Sequence, residues 1–153
     1  MPKIDIAKLP IETGSGYPGH RAALMDGRSQ VRLGKAAGLT QFGANLVMLE
    51  PGALSSLRHW HMEQDEFLVV TQGVCTLIDD DGETQLTAGE CAAFPAGDAN
   101  GHHIKNTSNE PAAFVVVGTH TPTETGYYAD EDMMVVAKDG AMTFSRKDGG
   151  ALD

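Results

Sequence analysis

The chain is short of positive charge. Its 153 residues hold 11 Lys and Arg against 21 Asp and Glu, for a net charge of −10. Nucleic acids and anionic membranes bind through clustered cations, so neither is an expected partner. Cysteine is scarce too. Cys75 and Cys91 are the only two, too few for a disulfide framework, and reduced thiols packed in the core are expected. No apolar run reaches the length of a membrane span, and Met1 to Pro10 lacks the apolar centre of a signal peptide. These absences imply a soluble, cytoplasmic protein. A convincing amphipathic helix is also missing, which points away from helical bundles and α/β folds. The length fits one domain with a real core.

Turn residues and short apolar runs take the place of helices. Residues 1–30 are rich in Gly, Pro and Ser, and Thr13-Gly14-Ser15-Gly16-Tyr17-Pro18-Gly19 cannot hold a regular element. This segment reads as an extended amino-terminal arm, with His20, Arg21 and Arg28 expected to be solvated. Residues 31–153 read as the domain proper. Strands are expected over Phe42 to Leu49, Val74 to Ile78, Glu83 to Leu86, Ala112 to Thr119, Met133 to Ala137 and Ala141 to Phe144. Asp79-Asp80-Asp81-Gly82 suggests a calcium loop to the eye, but Asp-Gly between two apolar runs marks a hairpin turn. Short strands punctuated by Gly, Pro and Asp predict an all-β barrel or sandwich.

Two stretches carry chemistry. The first is Arg58-His59-Trp60-His61-Met62-Glu63-Gln64-Asp65-Glu66, framed by Gly52 and Gly73. On a strand alternate side chains share a face, so His59 and His61 point one way while Arg58 and Trp60 point the other. Glu66 opens the next apolar run. The second stretch runs from Gly89 through Pro95-Ala96-Gly97 to His102-His103-Ile104-Lys105-Asn106. There His102 shares parity with Ile104 and Asn106, whereas His103 shares it with Lys105, whose charge prefers water. His102 is therefore the better ligand candidate and His103 the bystander.

Together these stretches resemble the two signatures of the cupin superfamily. Gly52, His59, His61, Glu66 and Gly73 match the first, with one residue more than the pattern between Gly52 and His59. Gly89, Pro95, Gly97, His102 and Asn106 match the second, with four residues rather than two before the histidine. Both departures fall in turns. More narrowly, Gly14-Ser15-Gly16-Tyr17-Pro18, Ser55 to Glu66 and Asn100-Gly101-His102-His103 are similar to small bacterial single-domain cupins, some of which are labelled sugar-phosphate isomerase. The resemblance implies a double-stranded β-helix, or jelly-roll barrel, with one metal site built from His59, His61, Glu66 and His102. It also implies a homodimer, in which residues 1–30 could take part.

Three imidazoles and one carboxylate leave one or two positions of an octahedral ion open. They suit a divalent transition metal ion (Mn, Fe, Co, Ni or Zn) rather than Ca or Mg. The expected function is that of a metal-binding cupin enzyme acting on a small oxygenated molecule, either as an isomerase of a sugar or sugar phosphate or as a dioxygenase, with Glu66 as a candidate proton acceptor. The alternative is a non-catalytic sensory barrel whose metal anchors an effector. A phosphate substrate would need cations at the cavity. Arg58 and Lys105 have the wrong parity, which leaves Arg28 and Arg32 to fold back and supply them. His120, Tyr127 and Tyr128 are expected to be structural rather than acid-base groups, and Met48, Phe94 and Phe114 to pack in the core.

Overall fold

The computed structural model describes residues 2–153. Thirteen strands carry the fold: β1 (Glu12–Thr13), β2 (Arg28–Val31), β3 (Phe42–Leu49), β4 (His59–His61), β5 (Glu66–Gln72), β6 (Val74–Asp79), β7 (Gly82–Thr87), β8 (Cys91–Phe94), β9 (His103–Lys105), β10 (Ala112–Thr119), β11 (Thr123–Tyr128), β12 (Met134–Lys138) and β13 (Ala141–Ser145). The one α-helical turn among the described residues is Leu33–Ala36, and two 3-10 segments lie in the amino-terminal region. No helix is long and apolar enough to cross a membrane.

All pairing is antiparallel. A six-stranded sheet runs β1-β2-β3-β10-β5-β8, a four-stranded sheet β13-β12-β11-β4, and a three-stranded sheet β7-β6-β9. A bridge between His59 and His102 joins the two smaller sheets into one wall, and Leu54 bridges to Lys105 beside it. The core fills the space between that wall and the larger sheet. Val47, Leu49, Leu68, Val70 and Phe114 come from one side, and Cys75, Leu86 and Ile104 from the other. Each large apolar side chain so buried contributes about 1.5–3 kcal/mol relative to leaving it in water. The expected all-β double-stranded β-helix is the observed fold.

Three turns fix its geometry. Asp79 pairs with Gly82 across a two-residue reversal, and the Asp81 amide donates to Asp79 Oδ1 at 2.9 Å, so the acidic run is a hairpin as read. Asp139 and Gly140 join β12 to β13 with φ of 51° and 80°, the left-handed pair a tight hairpin demands. Gly73, between β5 and β6, has a φ of 69°, and a Cβ there would stand 2.5 Å from the Pro111 carbonyl oxygen. No other residue fits without moving backbone.

The amino-terminal segment is bound to the barrel. Strand β2 already begins at Arg28 and pairs with β3, while β1 pairs with β2. Arg21 and Arg28 are not solvated as expected. Arg21 is ion-paired with Glu131 and has a side chain 12% exposed, and Arg28 is half-buried on a sheet strand. Composition misleads here because the Gly-rich turns flank a short strand that borrows its pairing from β3. Cys75 is fully buried, as expected of a core thiol, but Cys91 is exposed. It stands on β8, an edge strand with one sheet neighbour, β5, so nothing covers its outer face.

Candidate metal centre

Strand β4 sets the site. It pairs with β11 so that Gly126 lies opposite His61 and Tyr128 opposite His59. His59 and His61 share one face, with ring centroids 4.9 Å apart, while Trp60 turns to the other face and stacks on Tyr127 at 4.9 Å. Arg58 also points away. Its guanidinium takes both carboxylate oxygens of Asp130 at 2.9 and 3.0 Å, Asp80 at 2.9 Å and the Gly101 carbonyl at 2.9 Å. The outward parity read for both residues holds, and Arg58 clamps the hairpin and the loops beside β4.

Glu66 begins β5, opposite Gly118 of β10 and Phe94 of β8. One carboxylate oxygen stands 3.4 Å from His61 Nε2, the other 3.1 Å from His102 Nε2. His59 Nε2 and His61 Nε2 are 3.1 Å apart. Donor atoms of His59, His61 and Glu66 all lie within 4.8 Å of one another, a group able to hold a metal ion. Neighbouring ligands about 2.1 Å from one ion are separated by about 3 Å, which matches these spacings. His102 stands just outside that trio and joins it through Glu66.

The hydrogen bonds behind the rings fit the same reading. His59 Nδ1 is 2.8 Å from the Leu57 carbonyl, so its proton sits there and Nε2 turns a lone pair inward. His102 Nδ1 faces the Asn100 carbonyl at 3.3 Å, and Phe94 stacks on its ring at 3.5 Å and 3°. His61 Nδ1 is buried with no partner among the described residues. Burial holds His59 down to about 4, so it is neutral at physiological pH, as a ligand must be. Burial would raise the Glu66 carboxyl, but hydrogen bonds from His102 and His61 outweigh it and hold the group well below the usual carboxylate range. His61 is pushed the other way. Burial opposes its charge, yet the Glu66 hydrogen bond and the Glu66 and Glu124 charges raise it.

The cluster lines a cavity of about 660 Å³ whose wall includes Arg28, Tyr17, Tyr128 and Phe114. Arg28 and Arg32, the two cations expected to fold back, both lie on this wall. His103 lines it as well, but its Nδ1 is bound to the Ser56 carbonyl at 2.8 Å. His120 is exposed and bound to the Thr40 carbonyl at 3.0 Å, away from the cavity.

Sequence reasoning missed several contributors. Glu124 is buried, and its carboxylate accepts the amides of Met62, Glu63 and Thr125 at 2.8, 3.1 and 2.8 Å, fixing the turn that follows His61. Tyr17 packs edge-on against Tyr128 at 5.6 Å, and its hydroxyl accepts the Leu57 amide at 3.3 Å. Tyr128 in turn lies 6.0 Å from the His59 ring, on strand β11. The alternation Glu124, Gly126, Tyr128 on one face of β11 was the available signal. Asn106 matches the signature for a structural reason. Fully buried, its amide donates to the Leu49 and Glu110 carbonyls at 2.9 and 2.8 Å and accepts from Ser108.

Known proteins place this architecture. The cupin domain family matches residues 45–118, a span from within β3 to within β10 that holds all four residues of the cluster. Among solved structures, a sugar phosphate isomerase of the cupin superfamily from Silicibacter pomeroyi is 58% identical, with 99% of this chain and 97% of that one covered and a TM-score of 0.98. A protein from Acidithiobacillus ferrooxidans assigned as a sugar phosphate isomerase is 25% identical over 82% of this chain and 80% of its own, with a TM-score of 0.74. The polyketide cyclase RemF from Streptomyces resistomycificus, 19% identical over 86% of this chain and 89% of its own with a TM-score of 0.67, shares the fold. No functionally curated protein matches the chain. The barrel, the two signatures and a relative alike over nearly its whole length agree, and the chain belongs to the cupin superfamily.

Proposed function

We propose that this protein is a metal-dependent enzyme that isomerises a small sugar-type substrate, with a divalent transition metal held by His59, His61, Glu66 and His102. The observation that carries the reading is the convergence of these side chains on a cavity of small-molecule size. The likeness to a sugar phosphate isomerase from Silicibacter pomeroyi supports the reaction class.

When bound, the metal polarises a substrate oxygen as a Lewis acid. The chain supplies the rest. His59 stays neutral and keeps its proton on Nδ1 toward Leu57. Glu66 stays ionised, the form that accepts a proton. Burial also keeps the hydroxyls of Tyr17 and Tyr128 protonated, with the Tyr128 ring 6.0 Å from that of His59. An isomerisation of this kind moves one proton between adjacent carbons and a second from the hydroxyl to the carbonyl oxygen, with no outside oxidant; Glu66 is the base that carries the first, and the second passes between the two substrate oxygens.

The test is turnover. Metal-loaded protein is incubated in D2O with a panel of aldoses, ketoses, uronates, a diketone and sugar phosphates, and followed by NMR. Isomer formation with deuterium incorporated at carbon is expected, and Glu66→Gln should abolish it. Tight binding of one compound without turnover under any metal would overturn the reading in favour of a sensory barrel. Oxygen consumption in place of isomer formation would overturn it in favour of a dioxygenase.

A further inference from the structure

The chain has five arginines, and four are matched to carboxylates. Arg21 pairs with Glu131, Arg32 with Glu12, Arg58 with Asp80 and Asp130, and Arg146 with Asp132. Arg28 alone has no carboxylate partner among the described residues. Its Nε donates to the Ser55 carbonyl at 2.6 Å and its Nη2 to Gln30 Oε1 at 3.1 Å, which fixes the guanidinium plane and leaves Nη1 without a described partner. A half-buried cation held this way without a counter-charge is costly unless an anion completes it.

That guanidinium lies on the wall of the cavity that holds the histidine cluster. On β2 the alternation places Arg28 and Gln30 on the cavity side, with Arg32 continuing the series, while Ser29 and Val31 do not line it. The cavity wall also includes Gly14, Ser15 and Gly16, whose backbone amides make no backbone hydrogen bond outside the strand ladders among the described residues. Gly14 has a φ of 84° and open space where a Cβ would stand. Free backbone amides beside an unpaired guanidinium are the elements of an oxyanion receptor. The position is tied to the cluster, because the Ser55 carbonyl held by Arg28 lies one residue before Ser56, whose Oγ is 3.3 Å from His59 Nδ1.

We propose that Arg28 and the Gly14-Ser15-Gly16 turn form a phosphate subsite that anchors a phosphorylated substrate while its other end reaches His59, His61 and Glu66. The inference rests on the isomerase reading above and narrows its substrate class to phosphate monoesters. The amino-terminal segment thereby carries specificity, while the barrel carries the metal. Arg32 plays a lesser part, because Glu12 already takes its charge at 2.7 Å.

Calorimetric titration of inorganic phosphate at constant ionic strength tests this, on metal-free and metal-loaded protein in parallel. Saturable binding is expected in both forms. Arg28→Gln should weaken it about tenfold or more, as loss of a charged hydrogen-bonding partner does, and leave metal content unchanged. Arg58→Gln should not change it. Unaltered phosphate affinity in Arg28→Gln, or no saturable binding by the unmodified protein, would overturn the subsite. Because the metal-free arm contains no ion, phosphate binding that persists without any metal uptake would sink the metal reading alone. A second measurement needs no variant. Phosphate should protect Arg28, and not Arg146, from an arginine-directed dicarbonyl reagent, read by peptide mass spectrometry, and unprotected Arg28 would overturn the proposal.

Discussion

His102 Nε2 stands 3.1 Å from Glu66 Oε1, while the other nitrogen of the same ring faces the Asn100 carbonyl at 3.3 Å. Both nitrogens of one imidazole therefore look at oxygen acceptors. A neutral ring has one proton to offer and is one donor short. Either a second ring proton or a metal ion at Nε2 resolves the conflict, and the ion also draws the lone pairs of His102 and Glu66 to a common point. Across β4, His59 and His61 turn Nε2 atoms toward each other at 3.1 Å, a spacing that two ligands of one ion adopt.

Phe94 stacks flat on His102 and sets the angle at which that ring meets Glu66. Phe94→Ala should lower metal affinity by about tenfold, in the range found when groups that orient ligands are removed, without removing a ligand. Competition titration against a chelating dye measures it. Affinity equal to the unmodified protein would show that Phe94 only fills space.

Asn106 satisfies the Leu49 and Glu110 carbonyls and holds Ser108 from a fully buried position. Asn106→Ala leaves those groups unpaired at a cost of about 3 kcal/mol, seen as a lower midpoint in urea unfolding. The phosphate and metal sites do not use this side chain, so both ligands should still bind the folded variant.

Burial raises the phenols of both Tyr17 and Tyr128. An acid whose folded pKa lies above its unfolded value of about 10 gives stability that is complete below that pH and is lost as pH climbs through the folded value. The protein should therefore lose stability above pH of about 10. These two phenols should ionise together with unfolding, read by phenolate absorbance alongside circular dichroism. Tyr17→Phe and Tyr128→Phe should each reduce that late step, and full reversible ionisation in the folded protein would contradict the assignment.

Ile4, Ile6 and Ile11 are exposed at 38, 44 and 63%, an apolar series on the amino-terminal segment that a second copy would cover. A homodimer is expected, with light scattering giving twice the 16.2 kDa chain mass. Deleting residues 1–10 should shift it toward monomer. Monomeric protein before deletion would refute the dimer.

The sequence was most legible where a strand speaks for itself. Phe42–Leu49 and Ala112–Thr119 are mostly β-branched or apolar and were read to the residue, because such side chains fit a buried pleated surface wherever they pair. Parity within β4 placed His59 and His61 inward and Trp60 outward for the same reason. Strand β11 was hidden because Glu124 and Gly126 interrupt its strand-favouring Thr and Tyr residues. It holds its place through pairing with β4 and β12, and Gly126 is small because a Cβ would stand 3.1 Å from Val135 Cγ1. Glu124 was not read as a buried anion because the Met62 and Glu63 amides it accepts lie on the turn after β4, far away in sequence. Arg28 was foreseen only as a cation able to fold back. Its lack of a carboxylate is a property of the assembled barrel.

The central claim is that His59, His61, Glu66 and His102 bind a transition metal, and elemental analysis of the purified protein tests it most directly. About one equivalent of Mn, Fe, Co, Ni or Zn per chain is expected, falling to a small fraction in His61→Ala while circular dichroism shows the barrel still folded. Metal content unchanged by His61→Ala, or no metal retained or taken up by the unmodified protein, would contradict it.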